Sequence, residues 1–400
     1  MRFSLSRFLA RFFVALCLVG VLYACRASSP QANAPSSPTE QTAIAQTTSA
    51  QLPPAAQALV DQSQGGLFNP PRGDVRFVVI SDLNDAYGST DYSREVDQGI
   101  ALLPLWQPDM VLCSGDMVAG QSPTLTPDQL KAMWAAFDDH VAAPLRQAKI
   151  PYGFTIGNHD ASAALGVKGN FLFQRERDIA SDYWRDPAHN PGVKFIDQED
   201  YPFFFTFEYQ DIFFMAWDGS SNNIPPEKLA WVEKSLASEK AQSAKLRILL
   251  GHLPLYAVAV GRNEPAEVMQ NADQLRSLLE KYKVHTYISG HHHAYYPAHR
   301  GGLQLLHMGI LGSGPRPLVD FPKPPRKAIT VMDVKFDSPE LTTYTTFDMK
   351  TLKQIKNEEL PRFLLGHNGI TLRRDVEWNA LTAQEKAACV NRLGAKRCTA

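Results

Sequence analysis

The sequence predicts an α/β fold, a four-layer α-β-β-α sandwich in which two mixed β-sheets stack face to face between outer helices. Three observations carry this. Strand and helix signals alternate through the first half of the chain, the pattern of an α/β core. The apolar runs 203–209 and 212–217 flank Gln210-Asp211 and read as a hairpin. Late strand signals at 303–310, 328–336 and 341–347 then add antiparallel pairing to the sheets.

Taken in order, Val75-Arg76-Phe77-Val78-Val79-Ile80 is a mostly apolar strand. An amphipathic helix is expected over 94–106 and a short strand at 110–113. Thr126-Pro127 supplies an N-cap and a proline at the first helical position, so a helix should start there and run to 147. A third strand covers 152–156. Beyond the hairpin, a helix at 226–241 precedes a strand at 246–250, and a helix at 265–282 precedes a strand at 284–289.

The ends of the chain read differently. Arg2, Arg7 and Arg11 precede an apolar run at 12–22, shorter than the roughly 20 residues of a membrane span but suited to an export signal. Leu22-Tyr23-Ala24-Cys25 resembles a bacterial lipobox, in which the cysteine carries lipid. An uncleaved anchor or a plain secretory signal is the alternative. The expected organisation is a signal at 1–25, a flexible Ala/Pro/Ser/Thr-rich tether at 26–71 (with a short helix at 55–60), a catalytic domain at 72–348 and a C-terminal extension at 349–400. The protein is then exported to the periplasm or cell envelope, with a lipid anchor as its membrane contact.

Composition narrows the function. A hydrophobic share of 44% with 20% charged residues is that of a globular protein. A net charge of -1 argues against a nucleic-acid partner, which needs a clustered basic surface. Cys113 sits in an apolar strand as a buried thiol, while Cys389 and Cys398 could pair in an oxidising compartment. No cysteine spacing suits a thiolate zinc site, so any metal must be held by harder ligands.

Five clusters carry that possibility, each after a strand signal: Ser81-Asp82-Leu83-Asn84, Gly115-Asp116, Gly157-Asn158-His159-Asp160, Gly251-His252-Leu253-Pro254 and Gly290-His291-His292-His293. Strand C-termini in an α/β sheet converge on one edge, so segments distant in sequence can deliver side chains to one place. Asp and Asn oxygens mixed with imidazole nitrogens suit Mn, Fe or Zn. The set is large enough for two ions, which together can clamp a phosphate and activate water.

This ordered set resembles the calcineurin-like metallophosphoesterases, which include purple acid phosphatases and cyclic-nucleotide phosphodiesterases. The resemblance covers residues 76–296. It implies two divalent or mixed-valence metal ions and a small phosphorylated substrate, a monoester or diester, cleaved by a hydroxide held on the metals. Asp82 and His293 would hold the first metal, Asp116 would bridge, and Asn158, His252 and His291 would hold the second. His159 would face the substrate as a general acid or hydrogen-bond donor, oriented by Asp160. Many members have histidine where this chain has Asn84, a weaker amide ligand. The tyrosine of the purple subgroup, three residues after the bridging aspartate, is replaced by Ala119, so no ferric-tyrosinate centre is expected.

Other residues carry less. His292 should point away from its neighbours in an extended segment. Arg316 lies on a loop on the active-site side and could contact phosphate. Tyr87 and Gly88 could shape the entrance, and the aromatic run 201–217 reads as core. Phosphoester hydrolysis is the leading function and cyclic-nucleotide phosphodiesterase its near relative. A lipid-anchored module that binds metal or a phosphoryl ligand without turnover is the competitor from another class. Oligomeric state is open.

Overall fold

The computed structural model describes residues 51–398, and the signal and lipobox expectations fall on residues outside it. Among the described residues, fifteen strands make two sheets. In chain order they begin with β1 (Val75–Ile80), β2 (Met110–Cys113), β3 (Tyr152–Phe154), β4 (Lys194–Asp200) and β5 (Phe204–Tyr209). Next come β6 (Ile212–Ala216), β7 (Leu246–Leu250), β8 (Thr286–Ser289), β9 (Tyr296–Arg300) and β10 (Leu303–His307). The last are β11 (Ala328–Val334), β12 (Thr342–Asp348), β13 (Lys353–Ile355), β14 (Phe363–Gly366) and β15 (Gly369–Arg373).

The first sheet has the order β13-β12-β11-β1-β2-β3, with β1, β2 and β3 parallel and the β11 side antiparallel. The second runs β14-β15-β9-β10-β8-β7-β6-β5-β4, with a parallel centre from β6 through β7 and β8 to β10. Both sheets are therefore mixed, and they face each other across one apolar core. Phe77 of β1 meets Phe214 of β6 edge-on at 5.5 Å, and Phe154 of β3 meets Phe205 of β5 at 5.3 Å. Each such ring, fully buried, contributes about 1.5–3 kcal/mol relative to exposure. Helix Arg94–Ala101 lies on the far side of the first sheet, with Gly99 against Ile329 of β11, and helix Ala272–Lys281 packs on β10. The four-layer expectation holds.

Arg76 shows how one charged residue survives in the apolar strand β1. Its side chain is buried, and five N–H donors meet five acceptors: both oxygens of Asp333, Asn69 Oδ1 and the carbonyls of Pro70 and Trp106. A buried charge is tolerable only when so completely paired.

Local chemistry accounts for the helix after β2. Thr126 accepts from the Gln129 amide while the Gln129 side chain accepts from the Thr126 amide, a capping box. The helix runs Pro127–Phe137, widens to a π turn at Asp138–Ala142 and resumes over Ala143–Gln147. Arg146 grips Asp138 across that turn with two bonds of 2.8 Å.

Two expected boundaries move. Residues 51–71, assigned to the tether, carry helix Pro54–Gln62 with Ala56 and Leu59 buried, and Trp106 donates to the Phe68 carbonyl at 3.1 Å. At the other end, residue 348 lies inside a β12–β13 hairpin, and β15 pairs with β9, so the extension completes both sheets. A small second core there, including Ile370, Leu372 and Leu381, is closed by the Cys389–Cys398 disulfide. The described residues form one compact unit.

Candidate metal centre

The five clusters leave the C-terminal ends of parallel strands. Those containing Asp82 and Asn84, Asp116, and Asn158 and His159 follow β1, β2 and β3, neighbours in the first sheet. Those containing His252, and His291 with His293, follow β7 and β8, neighbours in the second. One sheet thus supplies the oxygen donors and the other supplies three imidazoles.

These groups meet below the surface. Asp82, Asp116 and His252 each offer a donor atom within 4.8 Å of the others. His252 Nε2 lies 2.8 Å from Asn158 Oδ1 and 3.2 Å from Asp116 Oδ2. His291 Nδ1 approaches the same Asn158 oxygen at 2.8 Å, and His293 Nε2 lies 3.3 Å from Asp82 Oδ1. All six residues are at most 9% exposed. Asn84, whose backbone amide donates to the Asp116 carbonyl at 3.3 Å, has a buried Oδ1 with no hydrogen-bond partner among the described residues, and so does Asp116 at Oδ2.

The second-layer contacts fix which atoms point inward. His252 Nδ1–H donates to the Ser114 carbonyl at 2.8 Å and His293 Nδ1–H to the Gly314 carbonyl at 3.0 Å, leaving both Nε2 atoms as lone pairs. His291 is turned the other way: its Nε2–H donates to Glu267 at 2.8 Å, leaving Nδ1 free. Asn158 donates its amide to Gln121 Oε1 at 2.7 Å, so its oxygen faces the cluster. With the imidazoles neutral, several lone pairs therefore converge with no hydrogen between them. Such an arrangement repels itself unless a proton or a cation sits there, and the mixed O/N donors fit transition-metal cations.

The protonation tendencies agree. Burial works against charging His252, but the Asp116 carboxylate outweighs it and raises the imidazole to about 9. Burial would raise the Asp116 carboxyl, yet His252 and His159 hold it well below the usual range. His291 is pushed down to about 4, chiefly by burial, and stays neutral.

The backbone is shaped for this convergence. Asp82, Asp116, His291 and His293 all have positive φ, between 49° and 62°, although none is glycine. Left-handed non-glycine residues cost of order 1 kcal/mol or more and collect at functional sites. Gly157 and Gly290 are required for a different reason. A Cβ on Gly157 would strike the Asp116 amide and carboxylate, and one on Gly290 would strike Ser81 and Asp82.

One expectation is corrected here. Asp160 does not meet the His159 ring. Its carboxylate accepts from the amides of Asp116, Met117, Val118 and Gly157 at 2.7–3.0 Å, so it holds the loops that carry the ligand candidates. Burial and Asp116 push this carboxyl up to about 7, but four amide donors fill its lone pairs and favour the ionised form. The His159 ring is instead held through Nδ1 by the Gly120 carbonyl at 3.1 Å, under the face of Tyr87 at 5.1 Å. His292 is turned away, accepting from the Val258 amide and donating to the Glu267 carbonyl.

Arg316 is on the active-site side as expected, its amide donating to the His293 carbonyl at 3.1 Å, but its side chain does not line the main cleft. It lines a small pocket with Tyr295 and Phe321, and its guanidinium lies against Gly261. The arginine at the inner end of the main cleft is its neighbour Arg262, ion-paired with Glu267 and 3.3 Å from His291 Nε2. Sequence reasoning missed Arg262 and Glu267 because neither falls in a motif. Their loop is braced by the C-terminal extension: Asn368 bonds the Ala257 amide at 3.1 Å and the Leu255 carbonyl at 2.8 Å, and the His367 amide donates to Asn263 at 2.6 Å. The cleft itself has a volume of about 980 Å³ and runs from Asn158 and His159 out to Asp200 and Lys228.

Comparison with known proteins agrees with this geometry. The family described as calcineurin-like phosphoesterase matches residues 75–295, more than half of the chain. No curated protein matches in sequence. Solved structures similar to the chain include a purple acid phosphatase from yellow lupin seeds, 18% identical, covering 72% of this chain with a TM-score of 0.49. The chain spans only 54% of the lupin protein. A dimetal phosphatase from Danio rerio is 13% identical over 70% of this chain and 98% of its own, with a TM-score of 0.45. The anchor of the inner membrane complex of Plasmodium is 14% identical over 80% of this chain and 94% of its own, with a TM-score of 0.46. On the strength of the sequence match across the five motif loops, this chain belongs to the calcineurin-like phosphoesterase family.

Proposed function

We propose that this protein hydrolyses phosphate esters of small molecules with the help of two metal ions, outside the cytoplasm. The observation that carries the reading is the convergence of donor atoms from Asp82, Asp116, Asn158, His252, His291 and His293. Asp82 and His293 would hold one ion, with Asn84 beside them, and Asn158, His252 and His291 the other, with Asp116 shared. When bound, two such ions polarise phosphoryl oxygens, acidify water and offset the charge that develops during hydrolysis.

The chain's own groups do the rest. Ser114, Gly314 and Glu267 lock the three imidazole orientations, so donor atoms need not reorganise when substrate arrives. Asp160 fixes the Asp116 loop through its amides. His159 donates its Nδ1–H to the Gly120 carbonyl, which leaves Nε2 for the cleft; in the imidazolium form Nε2 also carries a proton, and that proton can be handed to a leaving oxygen. Tyr87 covers one face of that ring and keeps water off it. Asn84, as an amide, offers a weaker oxygen than the imidazole many relatives carry.

The basic and apolar start of the chain, its Cys25 motif and the Cys389–Cys398 disulfide support export. The test is hydrolysis of para-nitrophenyl phosphate and bis-para-nitrophenyl phosphate by the full-length protein supplied with Mn, Fe or Zn. Metal-dependent release is expected, and the better ester distinguishes a monoesterase from a diesterase. A folded protein that binds two ions and releases nothing from either ester would overturn the reading.

A further inference from the structure

The cleft extends well beyond the phosphate-sized space at the metal centre. At about 980 Å³ it is large for a small phosphoester, since ligand pockets usually run from about 300 to 1,000 Å³. Its outer part is formed by residues 162–181 and 200–204 and the loop 218–228.

Every lysine and arginine lining the cleft is already paired. Arg177 is tied to Asp218 at 2.8 Å, Lys228 to Asp200 at 2.5 Å and Arg262 to Glu267 at 2.5 Å. Arg177 is further fixed between the rings of Phe171 and Phe203, at 4.3 and 3.7 Å. Two lining carboxylates, Asp178 and Glu227, have no basic partner among the described residues, so five acids against three lysine and arginine side chains leave a charge of -2. Among the described residues, no lysine or arginine lining the cleft is spare to receive an anionic leaving group.

Neutral hydrogen-bonding groups are in the opposite state. The side chains of Ser181, Asn222 and Asn223 line the same space and make no hydrogen bond within the described residues. At the inner end, Tyr87 stands 64% exposed and offers an aromatic face. Unpaired amides and hydroxyls beside an aromatic ring suit a ring that carries hydroxyls and no charge.

Building on the phosphoesterase reading, we infer that the substrate is a phosphate ester of a sugar-like, uncharged polyol, whose hydroxyl-rich part lies in this outer cleft. The leaving group departs as an alcohol, taking one proton, while the phosphoryl group takes the oxygen of water. Esters whose leaving group carries a further phosphate are disfavoured by the -2 lining.

The experiment compares glucose 1-phosphate with glucose 1,6-bisphosphate at the shared 1-ester, using full-length protein. The monophosphate should show a kcat/KM at least about tenfold higher. Charge reversal in Asp178→Lys/Glu227→Lys should narrow that gap by about fivefold or more. In Ser181→Ala/Asn222→Ala, the kcat/KM ratio of glucose 1-phosphate to para-nitrophenyl phosphate should fall by about fivefold. Equal or better use of the bisphosphate, or a gap indifferent to the charge reversal, would overturn the inference. Calorimetric affinities for the two sugar phosphates answer the same question without turnover. Absence of para-nitrophenyl phosphate hydrolysis would therefore count against the phosphoesterase reading alone.

Discussion

On one wall of the cleft, the metal-ligand candidates leave short loops at strand ends, four of them on left-handed backbone, with their ring orientations set by carbonyls and Glu267. On the other wall, the lining comes from a helix, Gln174–Arg185, and from loops, and its charges are spent on one another. The first wall is strained and aimed at an occupant. The second is a relaxed, self-satisfied framework with a few neutral groups left open. The contrast teaches that chemistry and specificity are built by different means: reactive groups need precise convergence, whereas a binding groove needs shape and the right absences.

Substitutions should separate the walls. Asp116→Asn removes a buried carboxylate that we propose is shared by both candidate metal positions, and should lower kcat/KM by about 10³-fold, at the upper end of losses from single electrostatic groups. Turnover of para-nitrophenyl phosphate together with metal content per chain checks this. Retention of both activity and two ions would mean that Asp116 is not the shared ligand.

Arg177→Met tests the second wall through stability. Asp218 would remain buried at 4% exposure with its cationic partner gone, a change that costs about 3–5 kcal/mol for a broken buried pair. Urea unfolding should show the loss. A shift below about 1 kcal/mol, as for surface pairs, would mean that the pair is not a framework element.

How much of this was legible beforehand follows the same division. The strand-end clusters were readable because Asp, Asn and His recur beside glycine after each apolar run, and the ordering of five such clusters is hard to reach by chance. Glu267 and Arg262 were not, since their importance lies only in reaching His291 across the fold. The extension was equally opaque. Its strands are three to five residues long, and only pairing with β9 and β12 reveals their place. Asp160 was found by motif but given the wrong partner, because sequence adjacency to His159 does not tell where a side chain turns.

Glu267→Gln sharpens the comparison at an intermediate scale. An amide can still accept from His291 Nε2–H, but it loses the charge that favours the Nδ1-inward form and releases Arg262. Loss of such an outer partner typically lowers metal affinity or activity by about 10–100-fold. Metal titration is the direct measurement, and an unchanged affinity would show that the ring is held by packing alone.

The smallest effect concerns Glu176, which stands between the two walls. It rises from the groove helix and accepts from the amides of Gln121 and Ser122 at 2.8 and 3.2 Å, and Gln121 in turn holds Asn158. Burial pushes its carboxyl up to about 7 from an ordinary 4.5, with those two amides opposing the shift. The folded protein therefore binds more protons than the unfolded chain between about pH 4.5 and 7, and this group's contribution weakens as pH rises through that window. Glu176→Gln keeps an acceptor and removes the titration. Variant and parent should be equally stable near pH 4.5, with the variant gaining about 1–2 kcal/mol by pH 8 after allowance for solvent screening. Urea midpoints at the two pH values decide it: parallel shifts in both proteins would mean that the two amides already hold Glu176 ionised, and that the junction between the walls is stiffer than its burial suggests.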